Sequence, residues 1–312
     1  MGNTSIEWTR NSDGSKGKSW NPIAAYFNGK RGWMCSKPST GCKHCYSERL
    51  NQRLGNGLLY TAENAAKIEW CLVNLDEPGK WRKPQKCFVE SMGDLFHELI
   101  PDEMIGWIWS KMLEFPQHTF QVLTKRPGRM RELVTRFTEE AERKGLRSAD
   151  HIWLGTSVEN QEQADKRIPE LLKIPATVRF LSCEPLLSDV KLPYEAIGRC
   201  YGCQSCQFQG FHQIASPKIQ WVIVGGESGP NARPMHPDWV RSMRGQCQAA
   251  SVPFFFKQWG EWEEEMFSDE HAAISDSCTF AFEGGVTMVR TGKKAAGRTL
   301  DGRTWDEFPE RQ

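Results

Sequence analysis

Thr119-Phe120-Gln121-Val122-Leu123 and His151-Ile152-Trp153-Leu154-Gly155 are two short apolar runs, separated by a segment, 129–144, whose hydrophobic residues recur at helical spacing. Runs of this length and composition predict buried strands, and the spacing between them predicts an amphipathic helix. Because two parallel strands need a crossover connection, usually a helix, we expect a βαβ unit here.

The same alternation continues along most of the chain. Further apolar runs lie at 86–92, 177–182, 220–224 and 252–256, and further helical patterns lie at 102–115, 161–173 and 237–250. Almost continuously hydrophobic strands separated by helices indicate a parallel sheet covered by helices. We therefore predict the α/β class: a partial (βα)6-type TIM-like barrel of parallel strands with a Cys-rich insert and a C-terminal β appendage.

Length and charge limit the domain organisation and the partners that can be expected. The chain has 312 residues, and a single barrel domain typically takes about 250. We predict a barrel over 1–260 with a metal-binding insert at about 196–216, followed by a β-hairpin appendage over 261–312. With 40 basic and 39 acidic residues the net charge is +1, so binding to a polyanion must come from local patches.

Hydropathy and cysteine usage indicate a compartment. No run of about 18 apolar residues is present, and the N-terminus is polar, so we expect no membrane span, no membrane partner and a cytoplasmic location. Cytoplasmic thiols stay reduced. The eleven cysteines therefore favour metal ligation over disulfides.

Cys35, Cys42 and Cys45 lie within eleven residues, at Cys-x6-Cys-x2-Cys spacing. A closed structural metal site takes four protein ligands, whereas three thiolates leave one coordination position open, which favours an iron–sulfur cluster. Two alternatives remain open. His44 can complete a zinc site, although its place beside Cys45 makes shared ligation awkward, or the thiols bind no metal and Lys43 lowers their pKa.

A second group, Cys200, Cys203 and Cys206 with His212, lies in a glycine- and glutamine-rich insert. Its Cys-x2-Cys-x2-Cys spacing predicts a second metal, either zinc or an auxiliary iron–sulfur cluster, with unligated thiols as the alternative. Such an insert is expected to fold with its metal.

Polar residues follow each predicted strand. Because the carboxyl ends of parallel strands in a barrel converge on one face, where active sites form, we predict a site there, although some of its Ser and Thr residues can simply cap helices. We expect Glu184 and Glu227 to contact a ligand, and Cys183 to face the same chamber. The other predicted residues of this face are Ser91, Gly93, Asp94, Thr124, Lys125, Thr156, Ser157, Ser182 and Lys257.

Several motifs together carry a family resemblance. These are Ile6-Glu7-Trp8-Thr9, Trp20-Asn21-Pro22, Gly41-Cys42-Lys43-His44-Cys45-Tyr46, Val224-Gly225-Gly226-Glu227-Ser228-Gly229 and Lys257-Gln258-Trp259-Gly260. They resemble the phage-associated three-Cys-motif proteins, and the order of cysteine loop, helix and βα units is similar to that of radical S-adenosylmethionine enzymes.

The resemblance implies a cofactor arrangement. Cys35, Cys42 and Cys45 would bind three irons of a 4Fe-4S cluster, and S-adenosylmethionine would chelate the fourth. Tyr46 would lie near the cluster and adenine. Met92-Gly93-Asp94 would take the place of the family's Gly-Gly-Glu segment, which contacts the methionine amino group, and this replacement is a departure from the family. The chain departs from the widespread radical enzymes in its first cysteine gap, which has six residues in place of three.

The resemblance also implies the activity. A donor such as ferredoxin or flavodoxin would reduce the cluster, and cleavage of S-adenosylmethionine would give a 5'-deoxyadenosyl radical that modifies a macromolecule, nucleic acid or protein, in a phage or prophage context. Ser91, Thr124, Thr156, Ser157 and Ser182 would hold the cofactor. Glu184, Glu227, Cys183 and Lys125 are the predicted catalytic residues, and Lys125, Arg126 and Lys257 can hold an anionic substrate. The alternative is a non-catalytic zinc-binding module for nucleic-acid or protein interaction.

Overall fold

The computed structural model describes residues 2–145, 148–200, 212–213, 218–265 and 278–309, with backbone only at 199–200 and 212–213. Its helices are α1 (Tyr46–Leu54), α2 (Ala62–Ala65), α3 (Asp102–Glu114), α4 (Pro127–Arg143), α5 (Gln161–Leu172), α6 (Tyr194–Ile197), α7 (Pro237–Ala250) and α8 (Lys293–Ala296). No helix in these ranges is long and apolar enough to span a membrane.

The strands alternate with these helices along the chain. They are β1 (Lys18–Trp20), β2 (Ile23–Phe27), β3 (Lys30–Gly32), β4 (Glu69–Leu72), β5 (Lys86–Val89), β6 (Thr119–Thr124), β7 (Ile152–Ser157), β8 (Arg179–Cys183), β9 (Arg199–Cys200), β10 (His212–Gln213), β11 (Trp221–Gly225), β12 (Phe254–Gln258), β13 (Trp262–Glu264), β14 (Thr279–Ala281) and β15 (Thr287–Arg290). A seven-stranded sheet has the order β1-β5-β6-β7-β8-β11-β12. The predicted α/β class, a partial TIM-like barrel, is confirmed.

The βαβ unit predicted from 119–155 is β6, α4 and β7. β6 and β7 pair in parallel, with Val122 opposite Leu154. Both strands are almost entirely buried, as expected for strands that are apolar throughout. Helix α4 begins with proline at its first position, where a missing N–H costs nothing, and buries Met130, Leu133 and Val134 at helical spacing.

The chain divides into two compact units, Met1–Ser157 with Arg167–Phe180, and Val158–Lys166 with Leu181–Gln312. The predicted boundary at residue 260 falls inside the second unit. In the first unit, β1, β5, β6 and β7 form parallel pairs, and β3-β2-β4 form a separate antiparallel sheet. Strands β1 to β4 are not predictable from the sequence, because three- to five-residue strands give too short a pattern.

In the second unit, β11 and β12 pair in parallel and α7 connects them. The predicted β-hairpin of the C-terminal segment is β14 paired with β15, and β13 adds a third antiparallel strand. The chain beyond it runs back along β12, where Phe256 N donates to Trp305 O at 2.9 Å and Trp259 N to Gly297 O at 3.1 Å. The end of the chain is thus part of the packing of this unit.

Gly226 allows two backbone segments of the second unit to pack closely. A Cβ at Gly226 would lie 1.9 Å from the Trp259 carbonyl oxygen, and one at Gly260 would lie 2.1 Å from the Glu227 carbonyl oxygen. Contacts this short leave no room for a side chain. The glycine pair at the end of β11 is therefore required by the protein's own packing, whether or not a ligand approaches it.

We expect Gly226→Ala to destabilise the protein by about 3 kcal/mol, because the new methyl group must displace backbone. Gly245→Ala, in an exposed and open part of α7, is the matched control and should stabilise by about 0.5–1 kcal/mol, since alanine is the better helix former. Urea unfolding of both variants measures this. Equal stability of Gly226→Ala and wild type would contradict the packing.

Candidate functional site

The three cysteines of the first group lie where the chain passes from β3 into α1. Cys35 follows shortly after β3, Cys42 ends a single 3-10 turn over Thr40–Cys42, and Cys45 directly precedes α1. All three are partly buried, and Cys35 and Cys45 pack against a small core that includes Met34 and Tyr60. The long first gap is therefore a folded loop.

Helix α1 is anchored by buried polar contacts. Glu48 accepts a hydrogen bond from Tyr60 N at 2.8 Å and pairs with Lys37 Nζ at 2.6 Å. The Ser47 and Tyr60 hydroxyls are 2.7 Å apart, and both donate to the Met92 carbonyl oxygen in the loop after β5. Because Lys37 lies between Cys35 and Cys42, its ion pair helps to fold the cysteine loop onto α1.

The pKa of the Cys35 thiol depends on the groups around it. Burial raises the pKa of Cys35, the charge of Asp94 raises it further, and Arg126 lowers it. Cys42 and Cys45 also raise it, so the three thiols lie within electrostatic reach of one another. These surroundings favour the protonated thiol. A metal cation would reverse that balance, because a coordinated thiol is deprotonated.

Cys45 lies at the N-terminus of a helix. Burial raises the pKa of Cys45, whereas the backbone N–H groups of Glu48 and Ser47 lower it. Cys42 raises this pKa and the Lys125 ammonium lowers it, so Lys125 at the end of β6 acts on the cysteine loop. Burial outweighs both the helix terminus and the ammonium, so the pKa of Cys45 stays above its usual value and the thiol is favoured over the thiolate.

Arg126 follows β6 and immediately precedes α4, and its guanidinium is surrounded by polar groups. Nη1 donates to Asp94 Oδ2 at 2.9 Å, Nε to Glu98 Oε1 at 2.6 Å and Nη2 to Ser36 Oγ at 2.6 Å. Nη1 also lies 3.9 Å from Cys35 Sγ, within hydrogen-bonding range for sulfur. The guanidinium therefore joins the cysteine loop to the segments that follow β5 and β6.

Asp94, a predicted cofactor residue, is fully engaged with the protein. Oδ1 accepts from Thr124 Oγ1 at 2.6 Å and Phe96 N at 3.0 Å, and Oδ2 accepts from Lys125 N at 3.0 Å and from Arg126. Burial opposes ionisation of Asp94, but Arg126 and these donors hold its pKa below the usual value. A carboxylate has about four acceptor positions, so Asp94 primarily positions Arg126.

His97 and Ser36 extend this network. His97 Nδ1 accepts from Leu99 N at 3.2 Å, which assigns the ring proton to Nε2, 3.0 Å from Ser36 Oγ. Burial and then Arg126 lower the pKa of His97 to about 4, so the ring is neutral at neutral pH. Ser36 Oγ thus accepts hydrogen bonds from Arg126 and from His97. Its own hydroxyl proton remains available for donation to another acceptor beside Cys35.

Glu90 is a buried carboxyl group that sequence reasoning missed. It follows β5 directly, has a φ of 55° and is 4% exposed. Burial raises the pKa of Glu90 to about 8, the Ile23 N–H 3.2 Å from Oε2 lowers it, and Asp94 raises it. Glu90 is therefore largely protonated at neutral pH. An acid at the end of an apolar run has the sequence pattern of an ordinary turn residue, so only its burial reveals it.

Tyr46 and Ser91 are brought together. The Tyr46 hydroxyl donates to the Ser91 carbonyl oxygen, and the ring is 46% exposed. The Ser91 hydroxyl bonds with Ser19 Oγ at 2.6 Å and with Asn21 Oδ1 at 3.2 Å. Ser91 therefore stabilises the loop after β5, while the Tyr46 ring is accessible beside the cysteine loop.

The remaining predicted residues of the first unit are tightly packed. Thr156 donates to the Thr124 carbonyl oxygen at 2.9 Å, and the Ser157 carbonyl oxygen accepts from Arg167 at 2.9 Å. Thr124, Thr156 and Ser157 are buried. A Cβ at Gly93 would lie 3.1 Å from Glu90 Oε1, so any larger residue would require a small shift of its neighbours. Their cofactor roles stay predictions.

The second unit groups its predicted residues into two ion pairs. Lys257 Nζ lies 3.1 Å from Glu184 Oε1 and 3.3 Å from Oε2, and Ser182 Oγ lies 3.5 Å from Oε2. Glu227 accepts from Arg233 Nε at 2.8 Å and Nη2 at 2.7 Å. The bidentate pair gives Glu227 a structural partner, whereas Glu184 and Lys257 form a compact polar cluster.

Cys183 is completely buried at the end of β8. Burial raises the pKa of Cys183, and the charges of Glu184 and Glu159 raise it further. A reactive cysteine needs access and a stabilised thiolate, so these surroundings are typical of a structural thiol. The predicted catalytic role of Cys183 gains no support from its position.

The donor set of the first cysteine group can be compared with two kinds of metal centre. Within the described ranges, no group of three or more His, Cys, Asp or Glu side chains is arranged to hold one metal ion. One zinc ion gathers its ligands around a single centre with Zn–S bonds of about 2.3 Å, whereas in a 4Fe-4S cube each cysteine binds a different iron. The iron–sulfur cluster and the zinc ion completed by His44 therefore both stay predictions.

The second predicted metal group falls mostly outside the described residues. Cys203 and Cys206 lie there entirely, and only the backbone of Cys200 and His212 is described. Those two residues are directly opposite each other in the antiparallel pair of β9 and β10. This register brings two of the four predicted ligands to neighbouring backbone positions, and the metal itself stays a prediction.

A comparison with family models identifies the family. The model described as "Protein of unknown function (DUF5131)" matches residues 3–309. The chain belongs to the DUF5131 family. No curated protein and no solved structure matches it. The cysteine loop, the Arg126 network and both units of this DUF5131 chain lie within the matched segment.

Glu90 should make stability depend on pH. The pKa of Glu90 is about 8 in the folded protein and about 4.5 when exposed. Its contribution to the free energy of unfolding is therefore complete below pH 4.5 and is lost as pH rises towards 8. Glu90→Gln cannot ionise, so we expect its free energy of unfolding to rise relative to wild type across this window. Urea unfolding at pH 5 to 9 measures the difference. Glu103→Gln, on the exposed side of α3, is the control, and a pH-independent difference for Glu90→Gln would contradict the burial argument.

Proposed function

We propose that this protein is a 4Fe-4S enzyme of the radical S-adenosylmethionine type that modifies a macromolecule. The observation that carries the proposal is the set of three mutually interacting, partly buried thiols beside the segments that follow β5 and β6. Active sites of TIM-type folds form at the carboxyl ends of the strands. The resemblance of the cysteine loop to three-Cys-motif proteins supports the same function.

Cys35, Cys42 and Cys45 would hold the cluster and leave one iron for the amino and carboxylate groups of S-adenosylmethionine. Bound there, such a cluster supplies the electron for reductive cleavage of S-adenosylmethionine, received from a donor such as ferredoxin or flavodoxin. The protein's own contribution is to orient the cofactors, exclude water and place charge near them.

Arg126 is the main positioning residue in this proposal. Hydrogen bonds to cluster sulfurs tune the reduction potential, and Arg126 Nη1 points at Cys35 Sγ from 3.9 Å. Asp94 and Glu98 fix the guanidinium in that direction. Such outer partners of metal ligands commonly determine their orientation and electronic properties.

Two side chains are suited to the organic cofactor or the substrate. The half-exposed Tyr46 ring offers a flat face beside the cysteine loop, on which adenine can stack. The Lys125 ammonium lowers the pKa of Cys45 and can hold a carboxylate or phosphate. Asp94 would contact the methionine amino group only by giving up one of its four protein donors.

The alternative of a non-catalytic zinc-binding module gives a different metal content, so one experiment separates the two. We expect anaerobic reconstitution with iron and sulfide to yield about four of each per chain in a Cys203→Ala/Cys206→Ala background, which removes the second cysteine group. Cys35→Ala, Cys42→Ala and Cys45→Ala should each lose most of this iron.

Cys71→Ala is the control for this experiment, because Cys71 is a partly buried thiol on β4 outside the loop. It should retain the iron and sulfide of the parent protein. A parent protein that binds zinc and takes up neither iron nor sulfide would overturn the proposal and favour the interaction module.

A further inference from the structure

The segment that carries the cysteines is strongly basic in a nearly neutral protein. Residues 28–60 contain six Lys and Arg residues and one acidic residue, whereas the whole chain has 40 basic and 39 acidic residues. The basic residues are Lys30, Arg31, Lys37, Lys43, Arg49 and Arg53. The acid, Glu48, is buried and already paired with Lys37. The segment itself therefore carries a net positive charge.

Helix α1 arranges part of this charge in a line. Tyr46, Arg49 and Arg53 are spaced at i, i+3 and i+7, so they occupy one side of the helix, opposite the buried Ser47 and Asn51. Tyr46 and Arg53 are exposed and Arg49 is partly buried. We call these three residues the α1 stripe. It starts at Tyr46, immediately after Cys45.

Further cations lie close to the α1 stripe. Lys43 is exposed in the loop between Cys42 and Cys45, directly before α1. The hairpin of β2 and β3 carries Lys30 and Arg31, both exposed, and it packs on α1 through a hydrogen bond from Trp33 N to Asn51 Oδ1 of 2.9 Å. Cations therefore occur before, along and beside α1.

We propose that the α1 stripe and Lys43 bind single-stranded nucleic acid and deliver it to the cysteine loop. The cations of this surface can pair with the phosphates of a strand, and an exposed aromatic ring among them can stack on an unpaired base. Only one part of this inference rests on the proposed function, namely that the bound strand is the substrate. The binding surface itself stands on the charges and the ring described above.

The test is fluorescence anisotropy with a labelled oligonucleotide of about 20 nucleotides, longer than the typical 4–16 nucleotides of a single-strand site. The same sequence is used as single-stranded DNA, single-stranded RNA and duplex DNA, with full-length protein, both reconstituted and iron-free. We expect at least one single strand to bind about ten-fold more tightly than the duplex, and the affinity to fall with salt. The DNA and RNA arms then identify the strand.

Two variants address the residues. Lys43→Glu/Arg53→Glu should weaken single-strand binding about ten-fold or more and reduce the salt slope by about 1.4, the value for two lost phosphate contacts. Tyr46→Leu, which removes the ring, should weaken it about ten-fold with the salt slope unchanged. The control Arg143→Glu/Lys144→Glu makes the same charge change at the exposed end of α4 and should bind within about two-fold of wild type.

The inference is overturned if no oligonucleotide binds, if the duplex binds as well as the single strands, or if the stripe variants bind like the control. Circular dichroism of each variant verifies folding, and Lys43→Gln/Arg53→Gln serves as a milder version should charge reversal disturb it. Iron-free protein that binds the strand while reconstitution fails would support this surface and contradict the proposed function. Reconstituted protein that holds the cluster but binds no strand would contradict this surface and support the proposed function.

Discussion

The buried ion pair between Arg126 and Asp94 is the constraint on which the candidate site depends. Each of its members is less than a tenth exposed, so neither charge can return to water if the other is lost. Breaking such a pair by removing one partner typically costs about 3–5 kcal/mol. Asp94 is in turn held by Thr124 and the Lys125 N–H, which makes the pair a rigid link between the segments after β5 and β6.

This link explains how a long cysteine gap can still present an ordered site. Directly after Cys35, Arg126 donates a hydrogen bond to Ser36, and the next residue, Lys37, pairs with Glu48 of α1. The gap is thus fastened to the sheet and to the helix at adjacent residues. Cys45, at the start of α1, is fixed by the same helix. The extra residues of the gap are accommodated in the turn at Thr40–Cys42.

The sequence predicted the fold better than the site. Apolar runs and helical periods located β5 to β8, β11, β12 and the four long helices, because burial on both faces leaves a continuous hydrophobic signal. The short strands β1 to β4 gave no such signal. Their pairing is decided by contacts between residues distant in sequence.

For the site, residue type and position at strand ends pointed to Asp94 and Lys125. They did not reveal which residues contact these two side chains. The network of Ser36, His97 and Glu98 depends on tertiary contacts that no local pattern contains. Glu227, whose position suggested a ligand contact, pairs with Arg233, a partner that its position at a strand end does not reveal, and its ligand contact stays a prediction. The three cysteines were located because their spacing is itself the signal.

The central claim, a cluster with one iron open to S-adenosylmethionine, is tested most directly by electron paramagnetic resonance of the reconstituted, dithionite-reduced protein before and after S-adenosylmethionine is added. The account predicts the signal of a reduced 4Fe-4S cluster whose shape changes on addition, because the cofactor becomes a ligand of one iron. A protein without an iron–sulfur signal, or with a signal that S-adenosylmethionine leaves unchanged, would contradict it.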